Sequence, residues 1–157
     1  MAFAVEERTS EWIASAPLRV DHAFDVHAPP HAVFSVLSDH VSWPVWYSGI
    51  HRVRVLEGDG GERTLRTVWY RGARVNERVL LYEEPSRIVF AVISSNVPGL
   101  KSMVTDWCVA PLGAGRSRLM LSVGIECSGA LRFVPWLLRP VLSYASNGAR
   151  GIARIVG

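Results

Sequence analysis

A period of two, sustained through half of the chain, constrains the fold more than any other feature. Between His51 and Cys127 lie six short segments of strand character: HRVRVLE (51–57), RTLRTVWY (63–70), ARVNERVLLY (73–82), RIVFAVIS (87–94), MVTDWCVAP (103–111) and RLMLSVGIEC (118–127). Alternation at this period sends successive side chains to opposite faces of a strand. The separators are turn formers: GDGGE, Arg71-Gly72, EEPS, SNVPGLKS and LGAGR. Connections this short join antiparallel neighbours, because a parallel pair needs a crossover of about a dozen residues or more. A seventh strand precedes them. In LRVDHAFDV, Leu18, Val20, His22, Phe24 and Val26 share one face, with Arg19, Asp21 and Asp25 opposite.

Helical signals occupy two places only. After the first strand, APPHAVFSVLSDH sets Pro29 and Pro30 where the first helical N–H groups need no partner, and Val33, Phe34 and Leu37 fall on one face. The tail from Phe133 to Val156 reads as one long helix whose sheet-facing stripe is Leu137, Val141, Tyr144, Gly148, Ile152 and Ile155. Pro140 is expected to kink it. Gly148 and Gly151 each cost about 1 kcal/mol against alanine in a helix, so they imply close backbone approach or empty space beside it. The fold class predicted is α+β. Its seven-stranded curved antiparallel sheet wraps round a long C-terminal helix, with two short helices after the first strand. So few elements leave the concave side unfilled, and an internal cavity follows.

The 157 residues fit one domain, 17–157, preceded by a loose arm over 1–16. The net charge of +3 is spread rather than clustered, which argues against nucleic acid as a partner. Glu6, Glu7 and Glu11 stand where a signal peptide needs an apolar core, so a cytoplasmic location is expected. The most apolar run is broken by Arg132, Arg139, Arg150 and Arg154, so stable membrane insertion is not expected. Cys108 and Cys127 have no ligand-spaced neighbours and read as buried, reduced thiols. No metal is expected.

SDHVSWPVWYSGIHRVRVLEG (38–58) crowds Trp43, Trp46 and Tyr47 around Pro44 before the second strand. Together with Ala28, Pro29, Val33, Phe34, Asp39 and Pro44, and with Glu77 to Val79, Glu84-Pro85 and WCVAPLGAGRSRL, it resembles the START-like, helix-grip (SRPBCC) superfamily. Within that superfamily the match is to the polyketide cyclase/dehydrase-like proteins, from about Arg19 to Val156. The resemblance implies a cavity for a hydrophobic, aromatic or polycyclic small molecule. If the chain is catalytic, it implies cofactor-free aldol cyclisation and dehydration. A non-catalytic carrier or sensor of a lipid, isoprenoid or quinone stays open beside it, as do a homodimer and docking to a carrier protein.

The residues themselves offer candidates. Val75, Val79 and Leu81 define an inward face that carries Glu77. A carboxylate there is either an acid or base tuned by desolvation, or the partner of a cation on the next strand, with Arg66 the first choice. In the catalytic reading Glu77 or His22 moves the proton and Arg66 stabilises the enolate oxygen. Trp46 reads as a core plug or a ligand wall, and Trp43 and Tyr47 as lining of the cavity entrance. Trp69, Phe90 and Trp107 are further wall candidates, and Tyr144 and Asn147 are placed to hydrogen-bond a ligand oxygen. Asp106 is expected to face solvent. The histidines at 27, 31, 40 and 51 are taken as too exposed or irregularly spaced for a metal, and Ser94 to Ser102 as a lid or a plain connector.

Overall fold

The computed structural model describes residues 1–133 and 135–157. Its strands are β1 (Phe3–Ala4), β2 (Leu18–Val26), β3 (Ile50–Glu57), β4 (Leu65–Tyr70), β5 (Ala73–Glu83), β6 (Arg87–Ser95), β7 (Leu100–Gly113) and β8 (Arg116–Cys127). The helices are α1 (Pro30–Ser38), α2 (Trp43–Trp46), α3 (Pro135–Asn147) and α4 (Ile152–Val156). Seven strands form a curved antiparallel sheet in the order β2-β8-β7-β6-β5-β4-β3. Hairpins join each strand from β3 to β8 to its neighbour. Helices α1 and α2 carry the chain from β2 at one edge to β3 at the other. This is the helix-grip arrangement. No described helix is long and apolar enough to cross a membrane.

The arm predicted to be loose is packed. The ladder between β6 and β7 ends at Ala91 and Val104, and the two strands then diverge with backbone groups unpaired. Strand β1 fills that gap, pairing Phe3 with Ser95, while Val5 N donates to Ile93 O (3.0 Å) and Glu6 N to Lys101 O (2.8 Å). The 3-10 turn Ser10–Ser15 follows and buries Ile13 among Val89, Ala91 and Val104 on the outer face of the sheet.

The long C-terminal helix is present, with a 3-10 turn at Gly148–Gly151 between α3 and α4 and Pro140 inside α3. Val134, within the helix predicted over 133–156, lies outside the described residues. Close approach explains both glycines. A Cβ on Gly151 would overlap the Trp46 carbonyl oxygen, and one on Gly148 would sit 2.6 Å from the Ser48 carbonyl oxygen. Within α3 the sheet-facing stripe is rotated by one residue from the predicted one, whereas Ile152 in α4 is buried as predicted. Leu138, Leu142, Ala145, Ala149 and Ile152 turn inward, and Leu137, Val141 and Tyr144 turn out. The tail is apolar on both stripes, so its period alone does not choose between them.

A second register change affects β5. A bulge between Val79 and Leu81 reverses the alternation, so Leu81 packs on the outer cluster and Tyr82 takes the inner side against Phe34. Cys108 and Cys127 are free and only half-buried, rather than buried.

Candidate ligand cavity

The concave face of the sheet and the inner side of α3 enclose a cavity of about 400 Å3. Its walls are mainly aliphatic: Val68, Val75, Met103 and Val123 come from strands, and Leu138 and Leu142 from α3. Strand register gives the cavity two ends. Opposite pairs on β4 and β5 run Arg66–Glu77, Val68–Val75 and Tyr70–Ala73. At the Tyr70 end the lining continues through Val97, Pro98 and Leu131. Trp43, Tyr47 and Trp107 close the Arg66 end, where Arg66 is 1% and Glu77 7% exposed.

Arg66 and Glu77 form a buried ion pair. Arg66 Nε donates to Glu77 Oε2 at 2.9 Å, and Nη2 lies 2.8 Å from the same oxygen. Glu77 Oε1 therefore carries no protein hydrogen bond among the described residues. The guanidinium is held between aromatic faces, 4.0 Å from the Trp43 ring centroid and 3.8 Å from that of Phe90. Such stacking suits a planar, weakly hydrated cation. Desolvation lowers the Arg66 pKa and the Glu77 carboxylate works against that fall. Arginine keeps its charge throughout.

His40 completes the network. Read from sequence with the other histidines as too exposed or irregularly spaced for a metal, it is buried, in the 3-10 turn after α1. Its Nε2 lies 2.7 Å from Gly60 O and its Nδ1 3.0 Å from Arg66 Nη1. A carbonyl only accepts and a guanidinium only donates, so Nε2 carries the proton and Nδ1 accepts. Burial first, and the Arg66 charge second, push the His40 pKa from 6.5 down to about 4. Folded His40 stays neutral while the unfolded residue takes up a proton below about pH 6.5. The stability this group supplies is therefore complete above pH 6.5 and lost progressively as pH falls to about 4. The loss is about 3 kcal/mol at most. Urea midpoints measured across that window should fall for the wild type, and the fall should be shallower for His40→Gln.

The aromatic turn has a divided role. Trp43 is buried, donates from Nε1 to Leu37 O (2.9 Å), and stacks parallel to Tyr47. Both line the cavity. The Tyr47 hydroxyl donates to Ala145 O at 3.2 Å, tying the turn to α3, and burial drives its phenol pKa upward. Trp46 is buried beside Gly151 and is absent from the cavity lining, as is Phe90, whose ring lies beneath Arg66. Trp107 lines the closed end.

Several candidates stand elsewhere. Trp69 alternates to the outer face, where Arg52 lies 4.8 Å from its ring centroid. His22 faces inward on β2, stacked with Phe24, and does not reach the cavity lining. Asn147 is exposed, and so is Tyr144, whose hydroxyl accepts from Arg71 at 3.5 Å. Asp106 is on the outer face in a two-pronged ion pair with Arg87. Of the stretch 94–102, only Asn96–Gly99 lies outside the strands. Asn96 anchors that turn through Arg74 and the Gly72 carbonyl. Sequence reasoning passed over His40 and Tyr70. Tyr70 shares the inner face of β4 with Arg66 and Val68, and that alternation was the available signal.

The family model described as polyketide cyclase/dehydrase and lipid transport matches residues 17–154. The chain belongs to that family. The solved structures similar to this chain share its fold. The Zhui aromatase/cyclase from Streptomyces sp. R1128 is 19% identical with a TM-score of 0.74, covering 88% of this chain and 93% of that one. A START superfamily protein from Mycobacterium smegmatis is 16% identical with a TM-score of 0.72, covering 88% and 99%. A truncated norcoclaurine synthase from Thalictrum flavum is 18% identical with a TM-score of 0.70, covering 88% and 92%. No curated protein sequence matches the chain. The family supports binding of hydrophobic small molecules in general.

Proposed function

We propose that the protein binds a flat aromatic or polycyclic small molecule, with its apolar body along the aliphatic walls and a hydrogen-bond donor against Glu77 Oε1. The observation that carries this reading is an apolar cavity closed at one end by aromatic rings and a carboxylate oxygen, Glu77 Oε1, with no hydrogen-bond partner among the described residues. A mostly apolar site with one or two fixed polar groups is the usual design for orienting such a ligand. Among the described residues the donors at this end are mostly committed, Trp107 Nε1 being a buried N–H without a partner. The Arg66 contacts are directed at Glu77 and His40, and the Tyr47 hydroxyl is turned to Ala145 O. Tyr70 lies four residues from Arg66 along β4, roughly 13 Å away. Spacing of this kind favours holding a ligand over acid–base turnover.

Aldol cyclisation and dehydration of a poly-ketone is the second reading, favoured by Glu77 Oε1 as an ionisable acceptor facing the cavity. It requires Glu77 to move a proton, and a Glu77→Gln variant with unchanged turnover removes it. The binding reading is tested with phenylnaphthylamine, a flat neutral probe bearing one N–H. Its emission should rise on mixing with the protein. Ala145→Trp, which fills the cavity from α3, should weaken binding by roughly tenfold or more, through loss of the buried contact area. Equal affinity in wild type and variant would place the probe elsewhere.

A further inference from the structure

We propose that the outward side of α3, with the turn before it, docks on an anionic lipid bilayer. Phe133, Trp136, Val141 and Tyr144 are 70%, 67%, 64% and 65% exposed, and Leu137 is exposed between them. Large side chains left in water side by side mark a surface meant to be covered. The charge pattern says by what. From Ser128 to Gly157 the chain carries Arg132, Arg139, Arg150 and Arg154 and no aspartate or glutamate. Arg132 lies 4.4 Å from the Phe133 ring centroid and Arg71 5.4 Å from that of Tyr144, both at the patch itself, whereas Arg150 lies over Phe24 and Arg139 within reach of Asp21 on β2.

A second copy is the wrong occupant, because a two-fold contact would set this patch, and its arginines, against itself. An acidic protein would satisfy the arginines. The predominance of Trp, Phe, Tyr, Leu and Val favours a bilayer boundary, where aromatic rings and arginine stems both find suitable surroundings. At 13 residues α3 is about 20 Å long, too short to span a membrane and suited to lie in its surface.

Position adds a second, independent argument. The same helix forms the cavity wall through Leu138, Leu142 and Ala145, and Val141 belongs to both the lining and the exposed side. A bilayer on this side therefore abuts the cavity, giving an apolar ligand a path that avoids water. Docking itself does not depend on what the cavity holds.

The test is flotation of the full chain with vesicles of phosphatidylcholine alone or mixed with phosphatidylserine. Binding to the mixed vesicles is expected, weaker by roughly tenfold on phosphatidylcholine alone and reduced by added salt. Phe133→Ser with Trp136→Ser should cut vesicle binding roughly tenfold while leaving phenylnaphthylamine binding and the unfolding midpoint unchanged. Arg132→Glu with Arg71→Glu should remove the preference for phosphatidylserine. Three results would overturn the proposal. One is absence of flotation; another is flotation indifferent to both variants. The third is a dimer, or a complex with an acidic protein, that needs these residues while vesicles are ignored.

Discussion

Arg66→Met is expected to destabilise the protein by about 3–5 kcal/mol, because it leaves the Glu77 carboxylate buried without its cation. Two further losses fall on the same change. The guanidinium leaves its place between Trp43 and Phe90, and His40 Nδ1 loses its donor. Glu77→Gln should cost less, since an amide oxygen still accepts from the guanidinium, but it leaves the Arg66 charge uncompensated. The informative variant is the double one, Arg66→Met with Glu77→Met. A buried pair replaced by apolar groups of similar volume is often neutral for stability, so the double variant should recover most of what Arg66→Met loses. It should also lose selectivity for ligands that carry a donor. Urea midpoints of the wild type, Arg66→Met, Glu77→Met and the double variant check this, and simple addition of the two single losses would show that the groups are not coupled.

Gly151→Ala is expected to cost about 3 kcal/mol and to lower the melting temperature by roughly 10 °C. The new methyl would meet backbone, the carbonyl oxygen of Trp46, rather than the yielding end of a side chain. Relief requires the 3-10 turn Gly148–Gly151 to move away from α2. That movement also pulls on the link between Tyr47 and Ala145, so probe binding should weaken together with stability. Leu137→Ala, on the outward side of α3, is the control. It removes exposed surface and should leave the melting temperature nearly unchanged. A small effect of Gly151→Ala would mean that the tail does not press on α2 as closely as described.

The strand framework was legible because alternation and short glycine turns both point to a meander, and Glu77 was placed inward by Val75 and Val79 on either side of it. Its pairing with Arg66 followed from asking which cation the next strand could offer. Other features were marked weakly or not at all in the pattern. In β4 the inner face is Arg66, Val68 and Tyr70 and the outer one Leu65, Thr67 and Trp69. Neither is clearly the more apolar, so Trp69 went to the wrong side. The bulge at Leu81 inverts a face without altering composition. The tail carries apolar residues on two stripes one residue apart, and only packing against the cavity selects Leu138, Leu142 and Ala145. Tyr144 and Asn147 were misplaced for that reason. His40 was missed because a single histidine in a 3-10 turn belongs to no period. Its partners, Gly60 and Arg66, lie 20 and 26 residues away.

The most direct measurement is a crystal structure of the protein with a hydroxyanthraquinone, a flat polycyclic ligand bearing a donor hydroxyl. The predicted result is one molecule inside the cavity, its rings against Val75, Val123 and Leu142 and its hydroxyl donating to Glu77 Oε1. A ligand bound only on the outer face, or a cavity left empty at saturating ligand, would contradict the account.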